Sequence, residues 1–132
     1  MTPLEVTASP RTLRFSTHLR EGYRIVALSG ELDLASAPTL RDQLLGVLRP
    51  DACRLIVELS HVGFCDASGL AVLVGMSRRA KLHGGVLRLA APAPPTTEAL
   101  HTTGLDLHLD IFPTVSAAII GTKASRGIPD GG

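Results

Sequence analysis

The residues best placed for chemistry are Phe64-Cys65-Asp66-Ala67-Ser68-Gly69-Leu70, where a carboxylate, a hydroxyl and a glycine arrive together at the start of a helical pattern. Helix N-termini expose unpaired N–H groups and positive potential, so a phosphate or carboxylate is favoured at such a place. The same residues also serve a structural purpose: Asp66 or Ser68 can cap the helix, and Gly69 can allow close packing. Nucleophilic catalysis fits poorly. A nucleophile elbow has glycine two residues to either side of its serine, whereas Asp66 stands two before Ser68 and Gly69 follows it directly. His18, His61, His83, His101 and His108 are scattered, and no Gly-x-x-x-x-Gly-Lys phosphate loop occurs. Cys53 and Cys65 lack metal-type spacing and, with strand-like apolar neighbours, read as small core side chains. The expectation is a chain with no catalytic residue, no metal and no cofactor.

Composition narrows the partners. The 132 residues carry a formal charge of +1, with 13 basic and 12 acidic side chains interspersed. No field of one sign builds up to attract nucleic acid or an anionic membrane, and neither is expected as a partner. No apolar run reaches the roughly 18 residues of a membrane span. Met1 to Arg14 lacks the apolar stretch of a signal peptide. A soluble cytoplasmic protein is expected. Its length suits one domain, and three Phe, one Tyr and no Trp make the core aliphatic.

The elements that must hold the motif can be read in order. Residues 1–10 and 122–132 lack periodicity or are rich in Gly and polar residues, and are read as flexible ends of a domain over 11–121. Thr12 to His18 and Tyr23 to Ser29 read as a hairpin turning at Glu21-Gly22. Ser36 is a candidate cap for a helix with Pro38 in its first turn and a stripe of Leu40, Leu44, Val47 and Leu48, ended by Pro50 and Asp51. Leu55 to Leu59 reads as a central strand, and Ser60 to Asp66 as a loop. The second helix runs from about Ser68 to His83. Arg78, Arg79 and Lys81 in its last turns complement the helix dipole or, less simply, hold an anion. Gly84-Gly85 turns the chain into a strand at Val86 to Ala90. Pro92, Pro94 and Pro95 open a third helix that stops at Gly104. Leu105 to Phe112 reads as a weaker fifth strand near an edge, and Val115 to Ile120 as a last short helix. The order ββαβαβαβα implies an α/β fold: a mixed, mostly parallel sheet of about five strands with about four helices packed against it.

Several motifs in this order resemble the STAS family, in particular the bacterial anti-sigma factor antagonists, over about Leu13 to Ile120. Gly30-Glu31-Leu32-Asp33-Leu34-Ala35-Ser36-Ala37-Pro38 is similar to the family's turn into its first helix. Phe64 to Leu70 resembles its Asp-Ser-Ser/Thr-Gly-Leu signature, and Gly84-Gly85 and Thr103-Gly104-Leu105 match two further landmarks. The resemblance implies a partner-switching regulator that is not an enzyme. Such a protein binds an anti-sigma factor, itself a serine kinase of histidine-kinase-like ATPase fold, and thereby frees a sigma factor for transcription. The kinase phosphorylates the antagonist at a serine, and a phosphatase reverses this. The implied partner-binding residues are Asp33, Asp66, Ala67, Ser68, Gly69 and Leu70. The usual acceptor directly follows the Asp, and here that position is Ala67, which has no hydroxyl. Two expectations follow: Ser68 has taken over as the acceptor, or the protein is a permanently unmodified antagonist. A STAS subunit of a lipid-transport ATPase or of a stress-sensing scaffold is the alternative role.

Overall fold

A computed structural model describes residues 12–121. The elements are β1 (Arg14–Arg20), β2 (Tyr23–Leu32), α1 (Ala37–Val47), β3 (Arg54–Cys65), α2 (Ala67–Leu82), β4 (Val86–Ala90), α3 (Pro94–Thr103), β5 (Asp110–Phe112) and α4 (Val115–Ile120). The strands lie in the order β1-β2-β3-β4-β5, with β1 antiparallel to β2 and every other pair parallel. The sheet is therefore mixed and mostly parallel, with β3 at its centre, as the apolar Leu55 to Leu59 run implies. Two expectations lie outside the described residues: the flexible ends at 1–10 and at 122–132.

The crossovers through α1, α2 and α3 each step one strand further in the same direction. Connections of one hand taken in one direction deliver their helices to one face. Leu40, Leu44, Leu70, Leu73, Met76, Ala80 and Leu100 accordingly share a core with Val26, Leu28, Leu55, Val57, Leu59, Leu87 and Leu89. The opposite face carries a smaller cluster, Tyr23, Ile25, Ile56, Ala90 and Phe112, closed by Ala118 of α4. Arg88 secures that helix, donating to the Ala118 carbonyl and to the Tyr23 hydroxyl, each at 2.7 Å. Cys53 and Cys65 are both buried and free, consistent with core packing. No helix among the described residues is long and apolar enough to cross a membrane.

Three local expectations need correction. The stretch from Ser60 is strand rather than loop, because β3 continues to Cys65 with two register shifts against β2, between Ala27 and Ser29 and between Gly30 and Glu31. Each shift sets an extra residue into β3, which breaks the alternation that marks a strand. Leu105 to Phe112 is not one strand: Leu105–His108 is a 3-10 turn, and only Asp110–Phe112 pairs with β4. Ser36 stands before α1 but its side chain makes no capping hydrogen bond. Its hydroxyl instead donates to the Glu31 carbonyl at 2.7 Å and accepts from the Asp33 amide at 3.0 Å.

Candidate functional site

Strands β2 and β3 end side by side, with Leu32 opposite Cys65 in the parallel register. The next residues are Asp33 and Asp66, so two turns more than thirty positions apart in sequence meet at the carboxyl end of the sheet. That is the end where parallel α/β sheets present loops and helix N-termini. The Asp66 amide donates to the Leu32 carbonyl at 3.0 Å, which fixes one turn to the other.

Each aspartate orders its own turn. The Asp33 carboxylate accepts from the Ser36 amide at 2.9 Å, reciprocating the bond from the Asp33 amide to the Ser36 hydroxyl. The Asp66 carboxylate caps α2, accepting from the Ser68 amide at 2.9 Å and the Gly69 amide at 3.4 Å. Of the two readings of this helix start, capping is the one realised: a carboxylate of the chain already occupies the N–H groups an anion would use. Replacing Asp66 by Ala should cost about 1 kcal/mol and lower Tm by about 4 °C. A Tm unchanged in a thermal melt would mean that the cap contributes nothing.

The six residues implied as partner-binding, Asp33 and five from the signature, sort into an outer and an inner group. Ala67 is exposed, Asp33, Asp66 and Ser68 are half-buried, and Gly69 and Leu70 are buried. Leu70 is fully enclosed in the main core. Gly69 lies so close to β2 that a Cβ there would sit 2.7 Å from the Leu32 Cβ, so a larger residue would push α2 off the strand end. These two residues hold the turn from beneath, and the outer four form its surface. The Ser68 hydroxyl has no hydrogen-bond partner among the described residues. A serine next to a histidine does occur elsewhere: the Ser60 hydroxyl is 3.1 Å from His61 Nδ1 and bonds Glu58. There the serine stands between carboxylate and imidazole. A triad needs the imidazole in the middle.

Two features of this end were invisible in the sequence motifs. Leu34 is 75% exposed and Phe64 is 45% exposed, large apolar side chains left in water within a few residues of the two aspartates. Leu34 also opens a groove of about 470 Å³ between α1 and α2, lined further by Ala37, Pro38, Arg41, Leu45 and Val72. Past Val72 and Arg41 the groove continues to Met76 and Arg79. The basic residues near the end of α2, Arg78, Arg79 and Lys81, are exposed and make no ion pair among the described residues.

Burial pushes the Cys65 thiol up to about 11, with the nearby Asp66 charge adding to the rise as a lesser influence. Its folded pKa lies above the ordinary value of 9.0, so its contribution to stability is complete below pH 9 and is lost as pH rises towards 11. The thiol beside the site is thus protonated and unreactive at neutral pH. Iodoacetamide at a pH of about 8 should label Cys65 far more slowly in the native protein than in urea. Equal rates by peptide mass mapping would contradict this burial.

The model of the STAS domain matches residues 14–118. The anti-sigma-F factor antagonist RsfB of Mycobacterium tuberculosis is 26% identical over 121 residues, which cover 90% of this chain and 97% of RsfB. The anti-sigma-B factor antagonist of Bacillus subtilis is 35% identical over 86 residues, covering 65% of this chain and 78% of the relative. Among solved structures, an anti-sigma factor antagonist from Mycobacterium paratuberculosis superposes with a TM-score of 0.77 at 27% identity, over 86% of this chain and 97% of that one.

Proposed function

Since the chain belongs to the STAS domain family, we propose that it is an anti-sigma factor antagonist: a binding protein that docks on an anti-sigma factor and thereby releases a sigma factor for transcription. The observation that carries this reading is the meeting of the Asp33 and Asp66 turns at one end of the sheet, beside exposed Leu34 and Phe64. Two rigid turns, exposed apolar side chains and a groove make a surface suited to a protein partner, because docking gains from apolar anchors flanked by ordered polar groups. Asp33, Asp66, Ala67 and Ser68 provide the contact surface, while Gly69 and Leu70 keep it in place. Relatives described as anti-sigma factor antagonists align with nearly the whole of this chain, which supports the antagonist role over that of a transport-ATPase subunit. The protein acts in the cytoplasm, where the sigma factor and its inhibitor operate, and does no chemistry of its own.

The partner in this reading is a serine kinase of histidine-kinase-like ATPase fold, countered by a phosphatase. A phosphate adds about −1.5 to −2 charges to the middle of a docking surface, next to Asp66, and like charges together with desolvation then oppose binding. In this chain the exposed position at the start of α2 is Ala67, and the hydroxyl is one residue later on half-buried Ser68. One step along a helix turns a side chain by about 100°, so a kinase aimed at position 67 is not aimed at Ser68. The exposure pattern therefore favours a permanently unmodified antagonist.

Intact-protein mass after incubation with candidate anti-sigma kinases and Mg-ATP tests both the partner and its control. The expected result is a kinase that binds the chain tightly yet adds no phosphate. A phosphate-sized gain that vanishes in Ser68→Ala would make Ser68 the switch instead. If no anti-sigma factor bound the chain, the antagonist reading would fail.

A further inference from the structure

At the end of the sheet opposite to Asp66, three connections converge: the β1–β2 turn at Glu21-Gly22, the Arg49 to Cys53 link from α1 to β3, and the His83 to Gly85 link from α2 to β4. Between them lies a cleft of about 200 Å³ whose lining includes Arg24, Arg54, Asp51, Pro50 and Leu19. The cleft is rigidly framed. Arg49 and Ala52 exchange backbone hydrogen bonds of 3.2 and 2.9 Å, the Cys53 thiol reaches the His83 carbonyl at 3.3 Å, and the Val86 amide donates to the Cys53 carbonyl at 3.0 Å.

Two arginines line this cleft, with side chains on opposite faces of the sheet. Tyr23 and Ile25 belong to the back cluster and Val26 to the helix-covered core, so strand alternation sends Arg24 to the helix side. There its Nε is buried without a hydrogen-bond partner, and no ion pair or other polar partner engages the side chain among the described residues. Arg54 comes from the back, where its guanidinium lies over the Tyr23 ring at 4.3 Å from the centroid. It reaches the β1–β2 turn, with Nη1 3.6 Å from where a Cβ on Gly22 would stand. Stacking uses the flat face of a guanidinium and leaves its N–H edge for an acceptor. Arg24 is half-buried, so it is its Nε alone that stands as a buried donor without a partner, and one way to satisfy such a group is an ion at the site.

We propose that this cleft binds a small phosphate dianion, free or as the head of a phosphate monoester, held by Arg24 from the helix-covered side and by Arg54 from the back. The forked geometry of guanidinium suits phosphate, and the volume suits one such group rather than a large ligand. Asp51 on the wall works against the anion and sets the affinity low. The site is on the far side of the molecule from the proposed docking face, so it is available whether or not a protein partner is bound there.

The test is a titration of the isotope-labelled full chain with inorganic phosphate at constant ionic strength, chloride serving as the reference, with the Arg24 Nε–Hε and the Gly22 and Gly84 amides followed by NMR. Saturable shifts at these groups are expected. Arg24→Gln should weaken binding by about ten-fold, since a charge-assisted bond is lost. Asp51→Asn should tighten it by about three-fold through relief of like-charge repulsion. A parallel titration with phenyl phosphate separates the two sources: tighter binding than inorganic phosphate marks a monoester whose organic part meets Leu19 and Pro50, and equal binding marks the free ion. Shifts that do not saturate, that persist unchanged in Arg24→Gln, or that centre on Ser68 and Gly69 overturn the proposal. Should Arg24→Gln fail to fold by circular dichroism, Asp51→Asn decides alone, and no tightening there overturns it too.

Discussion

Ala67→Asp is expected to weaken binding to the anti-sigma factor by about a hundred-fold, close to 2.7 kcal/mol, as an unpaired charge placed in a docking surface typically does. The fold should not suffer. Position 67 is exposed and is the first residue of α2, where a carboxylate interacts favourably with the helix dipole. Calorimetric titration of the variant beside Arg78→Asp separates the docking face from general charge effects, because Arg78 is exposed near the other end of the same helix. If both variants lose affinity equally, the partner does not dock at the Asp66 end. If Ala67→Asp binds normally while melting normally, the contact surface lies elsewhere.

The second large effect concerns stability. Gly85→Ala should destabilise the domain by about 3 kcal/mol, in the upper part of the range for overpacked sites. A Cβ at this position would collide with the carbonyl oxygen of Cys53. That oxygen cannot withdraw without giving up its bond from the Val86 amide at 3.0 Å, the first link between β3 and β4. The neighbouring Gly84 is the informative comparison. Nothing stands within 4 Å of a Cβ there, and the only cost of Gly84→Ala is its positive φ of +80°, worth about 1 kcal/mol. Urea denaturation of the two variants should therefore rank Gly85→Ala well below Gly84→Ala, and equal midpoints would refute the steric argument.

Much of the architecture was legible because its signals are local. The stripe of Leu40, Leu44, Val47 and Leu48 located α1, which ends at Val47 with Leu48 as its cap, Val86 to Ala90 matched β4 residue for residue, and Gly104 ended α3 as a left-handed cap with φ of +76°. The misreadings arose where a local pattern imitates something else. Leu105, Leu107 and Leu109 alternate as in a strand, yet the bond from the Leu107 amide to the Gly104 carbonyl closes a tight turn and leaves Leu107 84% exposed. In β3 the two inserted residues hid a real strand behind a lost period. At Ser36 the sequence shows a good capping residue, but the Glu31 carbonyl and the Asp33 amide compete for its hydroxyl and win. The residues proposed for the site come from sequence motifs, and their assembly does not. That Asp33 and Asp66 share one end depends on pairing between β2 and β3, and the exposure of Leu34 depends on how α1 and α2 leave a groove beside it. Neither is a property of nearby sequence.

The two margins of the sheet differ in kind, which bears on how the protein behaves when concentrated. Unpaired strand edges invite self-association at high concentration. On one margin β1 carries Arg14, His18 and Arg20 on the same face with Ser16 between the first two, and the two arginines repel a second copy laid alongside. On the other, β5 is only three residues long, too short a template for another strand. By charge on one side and brevity on the other, the sheet of the described residues offers a poor template for a further strand at either margin.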